Sequence, residues 1–220
     1  AAVILESVQG EGGIYSLNKY YLQYLKSLCN EYNILFIADE VQCGSMRTGN
    51  WWNIEKKGIS PDIMTFGKGI ASGYQLAGVI SSSKIMNSLG RGFLGGTYGG
   101  NAISSAAAVA TIDILNDKSV SQNIYMMGNL IKDELSDEYL IKEVRQHGLM
   151  IAIEFIDEYN NNEFSNYVVE LLRNMGILVL LCGNNGQYIR ILPSLLIEED
   201  HVMYFILVLK SILHKMDFYT

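Results

Sequence analysis

Short aliphatic runs alternate with longer stretches in which apolar residues recur every three or four positions, and this alternation organises the first half of the chain. The runs at 1–5, 34–38, 62–66 and 77–81 read as strands. The stretch 17–32 reads as a helix, because Leu17, Tyr21, Tyr24, Leu25, Leu28 and Tyr32 share one face, which the pattern assigns to the core. Strands separated by helical segments imply βαβ units and a parallel sheet, so the expected class is α/β. The opening run has the composition of a buried strand with no preceding helix, cap or initiator methionine, and so reads as part of a longer protein.

The pattern changes in the second half. Small residues over 101–115 have helical composition, Asn116-Asp117 breaks it, and a second helix follows over about 120–135, which places a domain boundary near Leu115. Beyond it come a turn at Gly148, a strand over 149–155, a helix over 164–174, strands over 177–181 and 188–192, and a last helix over about 198–213. This half, 116–220, reads as a small α+β domain.

Composition narrows the function classes. Sixteen Lys and Arg stand against 23 Asp and Glu, a net charge of −7, and the basic residues are scattered singly, so no nucleic-acid surface is expected. The apolar runs are too short to span a bilayer, and a cytoplasmic location fits. Cys29, Cys43 and Cys182 form no C-x-x-C pair, and His147, His201 and His214 have no ligand spacing, so neither disulfide framework nor metal is expected.

Ligands of parallel sheets collect at the carboxyl ends of the strands. The run 34–38 delivers Asp39, Glu40 and then Gln42; the run 62–66 delivers Gly67 and Lys68. Taken singly, these are a carboxylate capping a neighbouring helix and a solvated lysine. Taken together they suit carbonyl chemistry: a lysine flanked by Gly67 and Gly69 can approach a carbonyl closely, and an aspartate can hold a proton on a pyridine nitrogen. The loop Gly95-Gly96-Thr97-Tyr98-Gly99-Gly100-Asn101 leads into a helix and offers N–H groups and a hydroxyl to a phosphate. Glu6 and Glu11 end the opening strand, where a plain turn is the simpler alternative. Arg190, between Ile189 and Ile191, needs a carboxylate from the protein or from a substrate.

In order along the chain, Glu6-Ser-Val-Gln-Gly-Glu-Gly-Gly13, Ile37-Ala-Asp-Glu-Val-Gln42 with Arg47-Thr-Gly49, Ser60-Pro-Asp62, Gly67-Lys-Gly69 and Gly96-Thr-Tyr-Gly-Gly-Asn101 resemble the class III pyridoxal-phosphate-dependent aminotransferases. Within that class the likeness is greatest to the 4-aminobutyrate aminotransferases, through Gly95-Gly-Thr-Tyr98, His147-Gly-Leu-Met-Ile-Ala-Ile-Glu154, Leu180-Leu-Cys-Gly183 and Ile189-Arg-Ile-Leu192. The resemblance implies the carboxyl-terminal part of a fold-type I large domain over 1–115, with a mainly parallel sheet, followed by the small domain. It implies pyridoxal 5'-phosphate held by Lys68, with Asp39 on the pyridine nitrogen and Gln42 on the ring hydroxyl. Thr97 would reach the cofactor phosphate of the neighbouring subunit in a homodimer with interface active sites.

The resemblance further implies that Arg190 binds the α-carboxylate of glutamate or 2-oxoglutarate. Glu11 would neutralise Arg190 while the ω-amine donor is bound and swing away for the α-amino acid, with Glu6 in a supporting polar role. The implied reaction moves an amino group from 4-aminobutyrate to 2-oxoglutarate; ornithine or acetylornithine donors, or a non-catalytic piece needing a separate amino-terminal half, are the alternatives. The chain departs from the family at Ser7, usually proline, and at Cys43-Gly44-Ser45-Met46, which replaces Thr-Gly-Phe-Gly. The family's glycine-serine phosphate loop, the aromatic residue stacked on the cofactor and the arginine for the far substrate carboxylate have no counterpart in the sequence.

Overall fold

Five residues after Ala1 extend and pair in parallel with Leu35–Asp39, and the first sheet grows from this ladder. The computed structural model describes residues 1–90 and 92–216. In chain order the first elements are β1 (Ala2–Glu6), β2 (Val8–Gln9), β3 (Tyr15–Ser16), α1 (Lys19–Glu31), β4 (Leu35–Asp39), α2 (Asn53–Lys56), β5 (Ile63–Phe66), β6 (Gly78–Ser81), α3 (Ser83–Met86) and α4 (Ala102–Leu115). After them come α5 (Lys118–Leu135), β7 (Ile141–His147), β8 (Met150–Phe155), α6 (Asn162–Asn174), β9 (Leu180–Cys182), β10 (Tyr188–Ile191) and α7 (Glu199–Met216).

Packing divides the chain into two units. The first comprises Ala1–Val8, Ser16–Met46 and Asn50–Lys118; the second comprises Gln9–Tyr15, Arg47–Gly49 and the chain from Ser119 onward. Two short pieces of the first half thus pack with the second.

The first unit is built on the sheet β1-β4-β5-β6. β1, β4 and β5 run parallel, whereas β6 returns antiparallel to β5. The sheet is thus mainly parallel, as expected, with one antiparallel strand: a parallel return needs a crossover, and the connection 67–77 holds only a 3₁₀ turn, Lys68–Ala71, and left-handed residues at Ser72 and Gly73. Asn18 caps α1 by accepting from Tyr20 N at 2.8 Å and Tyr21 N at 3.3 Å. The core gathers Leu22 and Cys29 of α1, Phe36 and Ala38 of β4, Ile54 and Met64, with Leu25 and Leu17 partly buried against them. Burying a side chain such as Phe36 contributes roughly 2–3 kcal/mol.

Two expectations fail here. Tyr21, Tyr24 and Tyr32 are exposed, so the inward face of α1 is the Leu22-Leu25-Cys29 stripe, one position away from the tyrosine stripe. The tyrosines share the helical period but point away from the sheet. β1, expected to be buried, is an edge strand of this sheet with Ile4 exposed, because no described element covers that position.

The second unit is an antiparallel sheet, β7-β8-β10-β9. Every residue of β8 is buried. α5 contributes Val120, Ile124, Met127, Ile131 and Leu135 to the core and α7 contributes Val202, Phe205, Ile206, Leu209 and Leu213, both at helical spacing. α6 packs on β9, β10 and α7. β9 starts later than the apolar run at 177–181 suggests, because Ile177 N donates to Leu172 O and so closes α6 instead of joining the ladder. Gly128 is needed where α5 meets the turn after β7: a Cβ there would lie 2.2 Å from Gly148 O.

Cys29, Cys43 and Cys182 are free and buried. No helix among the described residues is long and apolar enough to cross a membrane.

One ion pair staples α1 to the sheet. Asp62 accepts from Lys26 Nζ and from Phe36 N, each at 2.7 Å. Burial opposes ionisation, but the Lys26 ammonium and the Phe36 N–H outweigh it and hold the Asp62 carboxyl below its ordinary range. A depressed carboxyl stabilises the fold above its unfolded value of about 4, and that stability is lost as pH falls through the lower folded value. Asp62→Asn is therefore expected to lower the urea midpoint at neutral pH and to cost progressively less below about pH 4. Equal losses at both ends of a pH series would contradict this assignment.

Candidate functional site

The strand ladder sets the first constellation. β4 and β5 are adjacent and parallel with Asp39 opposite Thr65, so Asp39 and Lys68 leave the sheet at the same, carboxyl, edge. Asp39 Oδ1 accepts from Val41 N at 3.0 Å and from Thr65 Oγ1 at 3.1 Å. Its Oδ2 has no protein partner among the described residues, so one oxygen is fixed and the other is available. Thr65 was not singled out in the sequence; only its place in the register, opposite Asp39, identifies it.

Lys68 is exposed, and its amine has no hydrogen bond or ion pair among the described residues. Its backbone is left-handed, φ 46°, a conformation that costs a non-glycine residue on the order of 1 kcal/mol. The flanking glycines are not forced by crowding: a Cβ on Gly67 would sit 3.5 Å from Ala77 Cβ, and one on Gly69 3.6 Å from Ser45 Cβ. Gln42 lies half-buried in the turn after β4 and Glu6 half-buried at the end of β1. Thr97 is exposed in the turns before α4, and its hydroxyl makes no hydrogen bond among the described residues. Asn101 caps α4 itself, accepting from Ile103 N at 2.9 Å and Ser104 N at 3.1 Å, so those two N–H groups are already occupied.

Glu40 points the other way. Buried at 1% exposure, it accepts from Asn53 N at 2.9 Å and Ile54 N at 2.7 Å, capping α2 as the simpler reading of this carboxylate pair foresees. Cys43 Sγ and Ser7 Oγ also approach it, at 3.2 and 3.5 Å, and Asn53 Nδ2 donates to Ser7 Oγ at 2.7 Å. Ser7 and Cys43, both departures from the family pattern, therefore serve one internal carboxylate. Burial raises the Glu40 carboxyl despite these donors, and burial together with Glu40 pushes the Cys43 thiol up.

The second constellation lies wholly in the second unit. Arg190 of β10 donates from Nη1 to Glu11 Oε1 at 2.5 Å. The pair is asymmetric: the Arg190 side chain is 7% exposed and the Glu11 side chain 69%. Gly183 N donates to Glu11 O at 2.8 Å. Nearby, Arg145 of β7 lies over the rings of Tyr15 and Tyr188, 4.2 and 4.4 Å from their centroids. Its Nε donates to Gly13 O at 2.8 Å, and its Nη1 donates to Glu143 at 2.8 Å and to buried Glu154. The two tyrosine hydroxyls meet at 3.1 Å, and burial together with the Tyr188 hydrogen bond pushes Tyr15 up to about 12. Gly13 is obligatory here, at φ 115° with a built Cβ only 2.9 Å from the Tyr188 ring. The sequence reading missed Arg145; its signal was a lone arginine beside the buried valine of a charged strand.

Chemically, the first unit presents, on neighbouring strand ends, a carboxylate oxygen and an amine that have no partner among the described residues. The second presents a buried guanidinium whose counter-ion is solvated.

The family profile Aminotransferase class-III matches residues 1–213. The chain is 38% identical over 210 residues to 4-aminobutyrate aminotransferase GabT of Escherichia coli, covering 92% of this chain and 49% of that protein. It is 36% identical over 217 residues to ornithine aminotransferase 1 of Staphylococcus saprophyticus, covering 97% and 53%. A crystal structure of a new transaminase from the marine bacterium Virgibacillus matches with a TM-score of 0.90 at 31% identity, over 98% of this chain and 53% of that one. The chain spans about half the length of the curated relatives it matches. Enzymes of this family depend on pyridoxal phosphate. The donor set fits that group, since Asp39 Oδ2 is an open acceptor for a pyridine N–H and Lys68 an open amine for an aldehyde.

Removing Glu40 should show how far the strand end depends on the buried carboxylate. Glu40→Ala strands two backbone N–H groups and is expected to cost about 2–3 kcal/mol in urea unfolding, with Glu40→Gln costing less because one acceptor survives. A loss below about 0.5 kcal/mol for the alanine variant would show that water replaces the cap. With both constellations and the matched profile in hand, the chain belongs to the class III aminotransferase family.

Proposed function

We propose that the full-length protein transfers an amino group from an ω-amine donor, 4-aminobutyrate, to 2-oxoglutarate with pyridoxal phosphate, in two steps that share one carboxylate-binding arginine. The observation that carries this reading is the asymmetric Arg190–Glu11 pair. A guanidinium buried to that degree requires a counter-charge at all times, and leaving it unpaired costs about 3–5 kcal/mol. An exposed glutamate can leave and return at low cost. Glu11 therefore neutralises Arg190 when the donor has no α-carboxylate, and yields to glutamate or 2-oxoglutarate, which bring their own.

Pyridoxal phosphate, when bound, supplies an aldehyde for the amine and a ring that withdraws electrons from the substrate carbon. Asp39, oriented by Thr65, holds a proton on the pyridine nitrogen through Oδ2. Gln42 donates to the ring hydroxyl. Lys68 would hold the cofactor through Nζ, and the same amine would serve as the base that carries the substrate's proton. Thr97 serves the phosphate of a second subunit in a homodimer. Residues 1–115 act as part of the cofactor domain and 116–220 as the small domain.

Lys68→Ala in the full-length protein is expected to abolish the visible absorbance of lysine-bound cofactor and to lower transamination by at least about 10³-fold. Retention of band and activity would refute the assignment. A second donor class has support in the 36% identity to an ornithine aminotransferase. Comparing kcat/KM for 4-aminobutyrate, ornithine and acetylornithine decides between them, and clear preference for either of the latter two overturns the choice. Cofactor titration of the isolated 220-residue chain checks a third alternative, a non-catalytic piece that needs a separate amino-terminal half: weak binding is expected, and a tight lysine-bound complex counts against that alternative.

A further inference from the structure

We infer that Arg145 is a positioning residue for Glu11, holding the backbone of the 9–15 loop so that only the glutamate side chain moves. The inference rests on the proposed exchange of Glu11 for a substrate carboxylate at Arg190.

The register places the parts. Ala152 of β8 pairs with Arg145 on one side and with Arg190 on the other, so the three stand in one row across the sheet. Cross-strand partners point to the same face, and two strand spacings separate the arginines by about 9–10 Å. The residue between them has only a methyl group, which leaves room over the sheet. The 9–15 loop fills that room: Glu11 meets Arg190, and two residues on Gly13 O meets Arg145 Nε at 2.8 Å. Tyr15, which ends the loop, lies on the same guanidinium. With Glu11 O fixed by Gly183 N, the backbone is tied on both sides of the Gly12 peptide, while the Glu11 carboxylate stays solvated.

The use Arg145 makes of its donors argues against a purely structural ion pair. Glu143 and Glu154 both approach Nη1, and neither forms the two-pronged pair that a guanidinium and a carboxylate make most strongly. Nε goes to the loop carbonyl instead. Nη2 is buried and has no partner among the described residues. Arg145 thus forgoes its best pairing geometry while holding the loop and its tyrosine.

The effect on catalysis is directional. A loosened loop leaves Arg190 poorly neutralised, which penalises a donor lacking an α-carboxylate; glutamate supplies that carboxylate and is largely indifferent to Glu11. In the full-length holoenzyme, Arg145→Met is expected to raise KM for 4-aminobutyrate about ten- to hundred-fold while changing the glutamate half-reaction less than about threefold. Arg145→Lys, which keeps the charge but cannot span Gly13 O and Glu154 with one planar fork, is expected to recover part of the loss. In a Glu11→Ala background Arg145→Met is expected to add little, as for residues acting through one another.

Equal loss in both half-reactions, or an Arg145→Met effect undiminished in the Glu11→Ala background, overturns the inference. Amide hydrogen exchange supplies a readout that does not need turnover: Arg145→Met is expected to speed exchange over 9–15 relative to the rest of the sheet. Unchanged exchange there overturns the positioning role even in an inactive protein. Wild-type silence in both half-reactions, with exchange over 9–15 sped by Arg145→Met, overturns the proposed reaction alone.

Discussion

A guanidinium withdrawn from water must find a negative or strongly polar partner, and in the second unit this constraint decides where the 9–15 loop is held. Arg145 and Arg190 share a register row on one sheet, and each draws a different piece of the 9–15 loop to itself. The consequence runs backward to the sequence: Gly13 must be glycine because the loop passes so close to Tyr188. It also runs forward to function, since the same charge that anchors the loop leaves its glutamate at the surface.

The first unit solves a related problem by dividing two adjacent carboxylates. Asp39 and Glu40 are consecutive, yet one faces a strand end with an oxygen to spare and the other is enclosed among donors. Extended backbone sends neighbouring side chains to opposite sides, so a strand that stops at this pair yields one internal anchor and one carboxylate facing the strand end. Glu40 ties the turn to α2, and that turn carries Val41, whose N–H helps fix Asp39. Ser7 and Cys43 show how such a cap absorbs variation: small polar groups replace the usual residues and still point at the carboxylate.

Much of the fold was legible because strand runs and helical spacing are local signals. The parallel pairs and the helices α4 to α7 follow directly from them. The errors share a cause in tertiary context. In α1 two stripes of similar hydrophobicity compete, and only the position of the sheet selects Leu22 and Cys29 over the tyrosines. β7 was invisible because Lys142, Glu143, Arg145, Gln146 and His147 leave almost no apolar alternation, its charges being paired within the unit. Candidates announced by a strand end, Asp39 and Lys68, could be singled out; Thr65 and Arg145, which touch the candidate site only through a neighbour, could not, because register is not written in the local sequence.

The unequal exposure of Arg190 and Glu11 has a further consequence. A glutamate carried by the same chain behaves as a tethered competitor, present at Arg190 at a high effective concentration that no dilution can lower. Under the proposed reaction an incoming α-carboxylate must displace it, so apparent affinity would fall by the fraction of time the pair is closed. Ligands that bring only one carboxylate bear that penalty in full, and ligands with a second anionic group can offset it elsewhere. Discrimination against ordinary monocarboxylate amino acids can thus reside in an intramolecular rival, with no wall built to exclude them.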